Sequence, residues 1–111
     1  MSEDKIQAQI FQWYHNTYCT KLNDLPHLIF SVPNGGTRTK VEAMKFKATG
    51  LLAGVSDLII VRPDEVIFLE VKTSTGTQSK VQKEFQKKVE AMGYKYLLVR
   101  SLEECQNQLN K

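Results

Sequence analysis

Two charged residues interrupt an apolar segment near the middle of the chain. Glu70 and Lys72 lie in the run VIFLEVK, Val66 to Lys72, whose other members are apolar. Burying a carboxylate and an ammonium together costs several kcal/mol unless the two groups are paired or bind a metal ion. Because side chains alternate along a strand, Glu70 and Lys72 point to one face and Val71 to the other. This segment therefore demands a chemical explanation.

A third charged residue, Asp57, precedes a second apolar run. Leu58 to Val61 and Val66 to Val71 flank the polar segment Arg-Pro-Asp-Glu, which favours a hairpin buried on both faces. A four-residue loop places Asp57 directly opposite Glu70, where Cβ atoms lie roughly 4.5–5.5 Å apart. A slip of one residue would instead turn Asp57 to the other face.

Two opposed carboxylates repel each other unless a proton or a cation lies between them. Mg²⁺ suits such a site, because it accepts one or two protein carboxylates and keeps several waters. Such an ion holds a phosphate, lowers the pKa of a bound water and offsets charge on a leaving oxygen. Lys72 would orient the water or neutralise the transition state. The pattern favours phosphodiester cleavage, and the alternative is a buried Glu70–Lys72 pair with Asp57 merely starting a strand.

Periodic apolar residues and turn signals around these residues predict an α/β fold of order α-β-α-β-β-α-β-α. The strands and helices imply a central mixed β-sheet with helices on both faces. Before the hairpin, we expect a helix from Glu3 to Cys19 capped by Ser2, a strand over His27–Val32 and a turn at Pro33–Gly36. A second helix, started by Thr39, follows this turn. After the hairpin, we expect a helix started by Ser79, a strand over Tyr94–Val99 and a terminal helix started by Ser101.

Length and composition indicate one domain over residues 1–111 with a real hydrophobic core, since 41% of the 111 residues are hydrophobic. The net charge of +3 permits a nucleic-acid partner without requiring one. Cys19 and Cys105 show no metal or redox spacing, so we expect free thiols rather than a disulfide. Neither a signal peptide nor a membrane span is apparent, and we expect a soluble, cytoplasmic protein with no membrane partner.

The charged residues belong to a longer pattern. Gly54-Val55-Ser56-Asp57-Leu58, followed by Phe68-Leu69-Glu70-Val71-Lys72, resembles the PD-(D/E)xK core of the restriction-endonuclease-like nucleases. From Glu3 to about Glu104 the chain resembles the VRR-NUC family of virus-type replication-repair nucleases, in particular its stand-alone phage-type members. Ser56 stands where many relatives have Pro. The further matching residues are Glu3, Ile6, Gln7, Asn34, Gly35, Gly36, Arg38, Lys47, Gly50, Gly76, Ser79 and Gln82.

This resemblance implies a restriction-endonuclease-like fold and a nuclease that uses Mg²⁺, with Mn²⁺ able to substitute, and no small-molecule cofactor. Asp57, Glu70 and the backbone carbonyl of Val71 would be metal ligands, and Lys72 would be catalytic. Glu3 and Gln82 would line the site as accessory catalytic groups. Stand-alone relatives tend to form homodimers and to cut branched DNA, including four-way (Holliday) junctions, in phage-infected or bacterial cells.

Two of these residues have ordinary structural explanations as well. Glu3 lies in the first turn of a helix, where the helix dipole favours any carboxylate. Gln82 has the capping-box spacing from Ser79, which requires no catalytic role. A residue that caps a helix can also line a site, so both interpretations stay open.

Basic residues flank the same region. Lys stripes are more often solvated faces, but two such patches beside a carboxylate site favour contacts with DNA phosphates. Arg38, next to the Gly35-Gly36 turn, is the first choice for such a contact. The other candidates are Lys40, Lys45 and Lys47 near the second helix and Lys80, Lys83 and Lys87 on the third.

The remaining aromatic and histidine residues favour structural roles. We expect Trp13, Tyr14, Tyr94 and Tyr96 to be core residues rather than base-stacking platforms. His15 and His27 lack a partner at metal-ligand spacing.

Two alternatives to an endonuclease stay open. The first is a non-catalytic DNA-binding module that kept the nuclease fold, and the second is a partner-binding domain without a nucleic-acid role.

Overall fold

A four-stranded mixed sheet forms the centre of the computed structural model, which describes residues 1–20, 25–33 and 39–110. The strands are β1 (Leu28–Ser31), β2 (Leu58–Val61), β3 (Val66–Val71) and β4 (Lys95–Val99), adjacent in that order. β2 pairs antiparallel with β1 and β3, whereas β4 runs parallel to β3. A parallel pair needs a crossover connection, and here a helix supplies it.

The helices are α1 (Glu3–Tyr14), α2 (Lys40–Ala48), α3 (Lys80–Ala91) and α4 (Leu102–Leu109). Each begins at a hydroxyl side chain that accepts a backbone N–H, and these caps are Ser2, Thr39, Ser79 and Ser101. The predicted order of elements is therefore confirmed. The first helix reaches Cys19 as predicted, but its last turn, His15–Cys19, widens into a π-helix.

Helices cover both faces of the sheet, as predicted. On one face, α1 and α4 pack against the sheet to form the main core, which consists of Ile6, Ile10, Tyr14, Ile29, Leu58, Ile60, Ile67, Leu69, Val71, Val99, Cys105 and Leu109. On the other face, α3 places Phe85 edge-on against Phe68, with ring centroids 5.5 Å apart. The apolar residues of the hairpin are fully buried on the first face and half-buried on the second.

One expectation about the aromatic residues is wrong. Tyr94 is 47% exposed because it precedes β4, whereas Tyr14 and Tyr96 are buried. The apolar residues of α2 face solvent, with Val41 76% and Met44 71% exposed. This helix borders a cavity through Ala43 and Lys47.

The remaining expectations concern the turn after β1, Arg38, the two cysteines and membrane-spanning helices. The Asn34-Gly35-Gly36 part of the turn, and Arg38, lie outside the described residues. Cys19 and Cys105 are free thiols, as expected. Among the described helices, none has the length and apolar character required to cross a membrane.

Candidate active site

The β2–β3 hairpin has the register that the sequence predicts. Val61 pairs with Val66 and Leu58 with Leu69, so Asp57 precedes β2 at the position opposite Glu70. Oδ2 of Asp57 accepts a hydrogen bond of 2.7 Å from the backbone N–H of Val71. This bond ties Asp57 to the end of β3 and brings the two carboxyl groups to the same end of the hairpin.

Glu70 has one satisfied and one unsatisfied carboxylate oxygen. Oε2 accepts a hydrogen bond of 3.2 Å from the side-chain amide of Gln82, and the ammonium of Lys72 lies 3.7 Å from it. Oε1 is buried and has no hydrogen-bond partner in the described structure. A buried oxygen without a partner carries a desolvation penalty, so a structural ion pair alone does not explain this arrangement.

The surroundings of Glu70 disfavour its charged form. Burial, and after it the negative charge of Asp57, raise the pKa of Glu70 from 4.5 to about 8, while the charge of Lys72 opposes the shift. The charge of Glu3 adds a smaller upward contribution. Glu3 is half-buried in the first turn of α1, so it belongs to the same electrostatic environment. A cation between the carboxylates would reverse this effect.

Gln82 makes both a capping contact and a contact with Glu70. Its side-chain oxygen accepts a hydrogen bond of 2.9 Å from the backbone N–H of Ser79, which completes the capping box of α3. Its side-chain nitrogen donates to Glu70 at 3.2 Å. The cap therefore fixes the rotamer that holds the carboxylate of Glu70.

The donor set fits a hard divalent cation with few protein ligands. Among the described residues, no group of three or more His, Cys, Asp and Glu side chains is arranged to hold a metal ion. Mg²⁺ needs only one or two carboxylates, and the unpartnered Oε1 of Glu70 is a free acceptor next to Asp57. The predicted ligands Asp57, Glu70 and Val71 are therefore close together and chemically suitable.

The predicted basic residues that the structure describes lie on exposed helix surfaces. Lys47 lines a cavity of about 440 Å³ together with Asp57, Ser79 and Gln82, so α2 lies on the same side of the site as Asp57. The other described candidates are all exposed, and they are Lys40, Lys45, Lys80, Lys83 and Lys87.

A close backbone contact joins the two sides of the site. Gly54 has a φ of +91°, and a Cβ atom there would lie 2.3 Å from the carbonyl oxygen of Val81. Only glycine allows such an approach. The segment that leads to Asp57 therefore rests directly on the first turn of α3, which carries Gln82. The sequence contains this glycine in its motif, but it does not reveal the contact.

The opposite end of the hairpin has a structural role. The hydroxyl of Tyr14 accepts a hydrogen bond of 3.1 Å from Nε of Arg62 and lies 2.7 Å from Nδ1 of His27. His15 stacks on Phe11 with ring centroids 5.5 Å apart. These contacts confirm that both histidines have structural surroundings.

Comparison with known proteins supports the fold. No family model and no curated protein matches the chain. A solved structure described as a "VRR_NUC domain protein" is similar, with 24% sequence identity and a TM-score of 0.76, over 99% of this chain and 86% of that chain. This similarity agrees with the resemblance in the sequence and confirms the expected fold class. The chain therefore has the same α/β fold as this solved structure.

Proposed function

We propose that this protein is a metal-dependent endonuclease that hydrolyses phosphodiester bonds in branched DNA such as four-way junctions. The buried, half-satisfied carboxylate of Glu70 carries this proposal. It lies beside Asp57, and the ammonium of Lys72 is 3.7 Å away. The VRR_NUC fold supports the nuclease class, and the branched substrate follows from the family resemblance.

The carboxylates of Asp57 and Glu70, with the carbonyl of Val71, would hold Mg²⁺, and Mn²⁺ would substitute. When bound, this ion supplies Lewis-acid activation of water and stabilises developing negative charge. Each carboxylate is oriented by a fixed donor. Asp57 accepts from the N–H of Val71, and Glu70 accepts from Gln82. The site is therefore preorganised, which reduces the reorganisation needed during the reaction.

Besides the metal ion, Lys72 would supply a positive charge to the site. Its side chain is only 10% exposed, and its ammonium is directed to the carboxylate of Glu70. In a site shielded from water, an ammonium interacts more strongly with a phosphate oxygen than it does in bulk solvent. We propose that Lys72 donates a hydrogen bond to the attacking water or to a phosphate oxygen. The charge of Glu3 increases the affinity of the site for a cation.

The exposed lysines of α2 and α3 would bind the DNA backbone on either side of the site. Lys40 and Lys47 lie on α2, and Lys80 and Lys83 lie on α3. Such contacts position the strand without reading its sequence, and they make affinity fall steeply with salt. Arg38 remains part of the proposed interface.

We also propose a homodimer, since a two-fold dimer presents two sites to the symmetry-related strands of a junction. The exposed Val41 and Met44 of α2 are suitable for its interface. Light scattering should give twice the monomer mass for the wild type and a lower mass for Met44→Glu. A monomeric mass for the wild type at every concentration would remove this part of the proposal.

The decisive experiment is a cleavage assay with a labelled four-way junction and a linear duplex of the same sequence. We expect the junction to be cut with Mg²⁺ or Mn²⁺, no cutting with EDTA, and no cutting by Glu70→Ala or Lys72→Ala. Cleavage that persists in EDTA or in these variants contradicts the proposal. Junction binding without cutting under every metal would instead support the non-catalytic DNA-binding module.

A further inference from the structure

A tight turn follows Lys72 at the end of β3. The N–H of Gly76 donates to the carbonyl oxygen of Thr73 at 3.2 Å and to its side-chain oxygen at 3.1 Å. Lys72 itself is fixed to β4, because its N–H donates to the carbonyl of Val99 at 3.0 Å. The position of this turn therefore determines how the chain leaves the strand directly after Lys72.

Arg100, the residue after β4, binds both ends of this turn. Its Nη1 atom donates to the carbonyl oxygen of Thr73 at 2.6 Å and to that of Gly76 at 2.7 Å. These are short, charge-assisted hydrogen bonds, which are the stronger kind. Arg100 is half-buried, and Nη1 uses both of its hydrogens on the backbone of the turn.

The turn lies against the side chain of Lys72. A Cβ atom on Gly76 would be 3.5 Å from Cδ of Lys72 and 3.2 Å from the side-chain oxygen of Thr73. The backbone of the turn thus forms one wall for the aliphatic part of Lys72, whose ammonium lies 3.7 Å from Glu70. If the turn moved, this wall would be lost and the ammonium would gain freedom.

We propose that Arg100 is a positioning residue that clamps the Thr73–Gly76 turn and thereby fixes the ammonium of Lys72 at the reacting phosphate. This inference rests on the proposed nuclease function. Arg100 lies outside the motif formed by Asp57, Glu70 and Lys72. The inference gives Arg100 a role in the rate of cleavage rather than in DNA binding. Small displacements of a reacting group are sufficient to lower rates strongly.

The test compares Arg100→Gln with Arg62→Gln. Arg62 is also half-buried and hydrogen-bonded, but it contacts Tyr14 and Glu65 at the far end of the hairpin. We expect Arg100→Gln to lower kcat roughly 10- to 100-fold with an unchanged KM for DNA, since only the position of Lys72 changes. Arg62→Gln should lower the unfolding temperature while kcat stays at the wild-type value.

Two further measurements separate positioning from a general loss of structure. Methylguanidinium, added below concentrations that shift unfolding, should partly restore kcat in Arg100→Ala, whereas ethylammonium should restore less. Hydrogen exchange at the Gly76 amide should accelerate in Arg100→Gln and stay unchanged in Arg62→Gln.

The inference is overturned if Arg100→Gln keeps the wild-type kcat, if its KM rises in place of a fall in kcat, or if Arg62→Gln loses equal activity. A wild type that does not cut DNA would refute the proposed function. The exchange rate of the Gly76 amide would then decide separately whether Arg100 holds the turn.

Discussion

Glu70→Gln should abolish DNA cleavage and, at the same time, make the metal-free protein more stable at pH 8. Glutamine preserves size and keeps an oxygen that can accept from Gln82, but it removes a negative metal ligand. We expect cleavage to fall by at least about a thousandfold, as for the loss of a principal electrostatic group. Rates measured under single-turnover conditions with Mg²⁺ would test this part.

The stability gain follows from the raised pKa of Glu70, about 8 against 4.5 for an ordinary carboxyl. Above pH 4.5 the unfolded chain releases this proton while the folded protein retains it. The contribution of protonated Glu70 is thus fully present below pH 4.5 and is lost as the pH rises to about 8. Glutamine stays neutral, so we expect Glu70→Gln to be more stable by about 4 kcal/mol at pH 8 and nearly equal to the wild type at pH 4.5.

Urea unfolding in EDTA at several pH values measures this difference, with Glu84→Gln on the exposed surface of α3 as the matched control. Mg²⁺ should then stabilise the wild type and the control, but not Glu70→Gln, because a ligand that binds the folded state raises its stability. A Glu70→Gln variant that is less stable than the wild type at pH 8 in EDTA would contradict this account of the site.

The hairpin shows what the sequence is sufficient to predict. The alternation of residues along Val66–Val71 fixes which side chains share a face, and the four-residue loop fixes the register. Both signals are local. The helix caps at Ser2, Thr39, Ser79 and Ser101 are equally local, which explains why the predicted starts of the helices agree with the structure.

The features that the sequence does not reveal depend on how distant segments meet. The dual role of Gln82 requires the start of α3 to lie against the end of β3, and Gly54 permits that arrangement by its contact with Val81. The clamp by Arg100 depends on the parallel pairing of β3 with β4. No spacing along the chain encodes these distances.

Solvent exposure is also a tertiary property. The apolar stripe of α2 has the pattern of a buried helix face, yet Val41 and Met44 are exposed. Periodicity identifies which residues share a face, but it does not identify what covers that face. In contrast, Glu70 violates the rule that buried polar atoms are paired, and such violations concentrate at functional sites. Glu70, whose burial is unfavourable for stability, is therefore the strongest indicator of function.

Lys72→Met should slow cleavage strongly without removing the response to Mg²⁺. Methionine has a similar shape and suits a position that is only 8% exposed, so we expect the fold to be retained. The loss of the ammonium next to the reacting phosphate should lower the cleavage rate by roughly a hundred- to a thousandfold. Single-turnover rates at saturating protein, with DNA affinity measured in parallel, would test this. Lys95→Met is the control, because Lys95 is exposed and pairs with Glu65 at 3.3 Å.

Stabilisation by Mg²⁺ distinguishes this variant from Glu70→Gln. Lys72 repels a cation, so its removal leaves both carboxylates and should preserve or increase the thermal shift that Mg²⁺ produces. If Lys72→Met cuts within tenfold of the wild-type rate, or loses the shift together with the activity, then the ammonium is not a separate participant in the reaction. If only the rate falls, ion binding and catalysis belong to different residues of the hairpin. Asp57 and Glu70 then bind the ion, and Lys72 acts on the phosphate or the water.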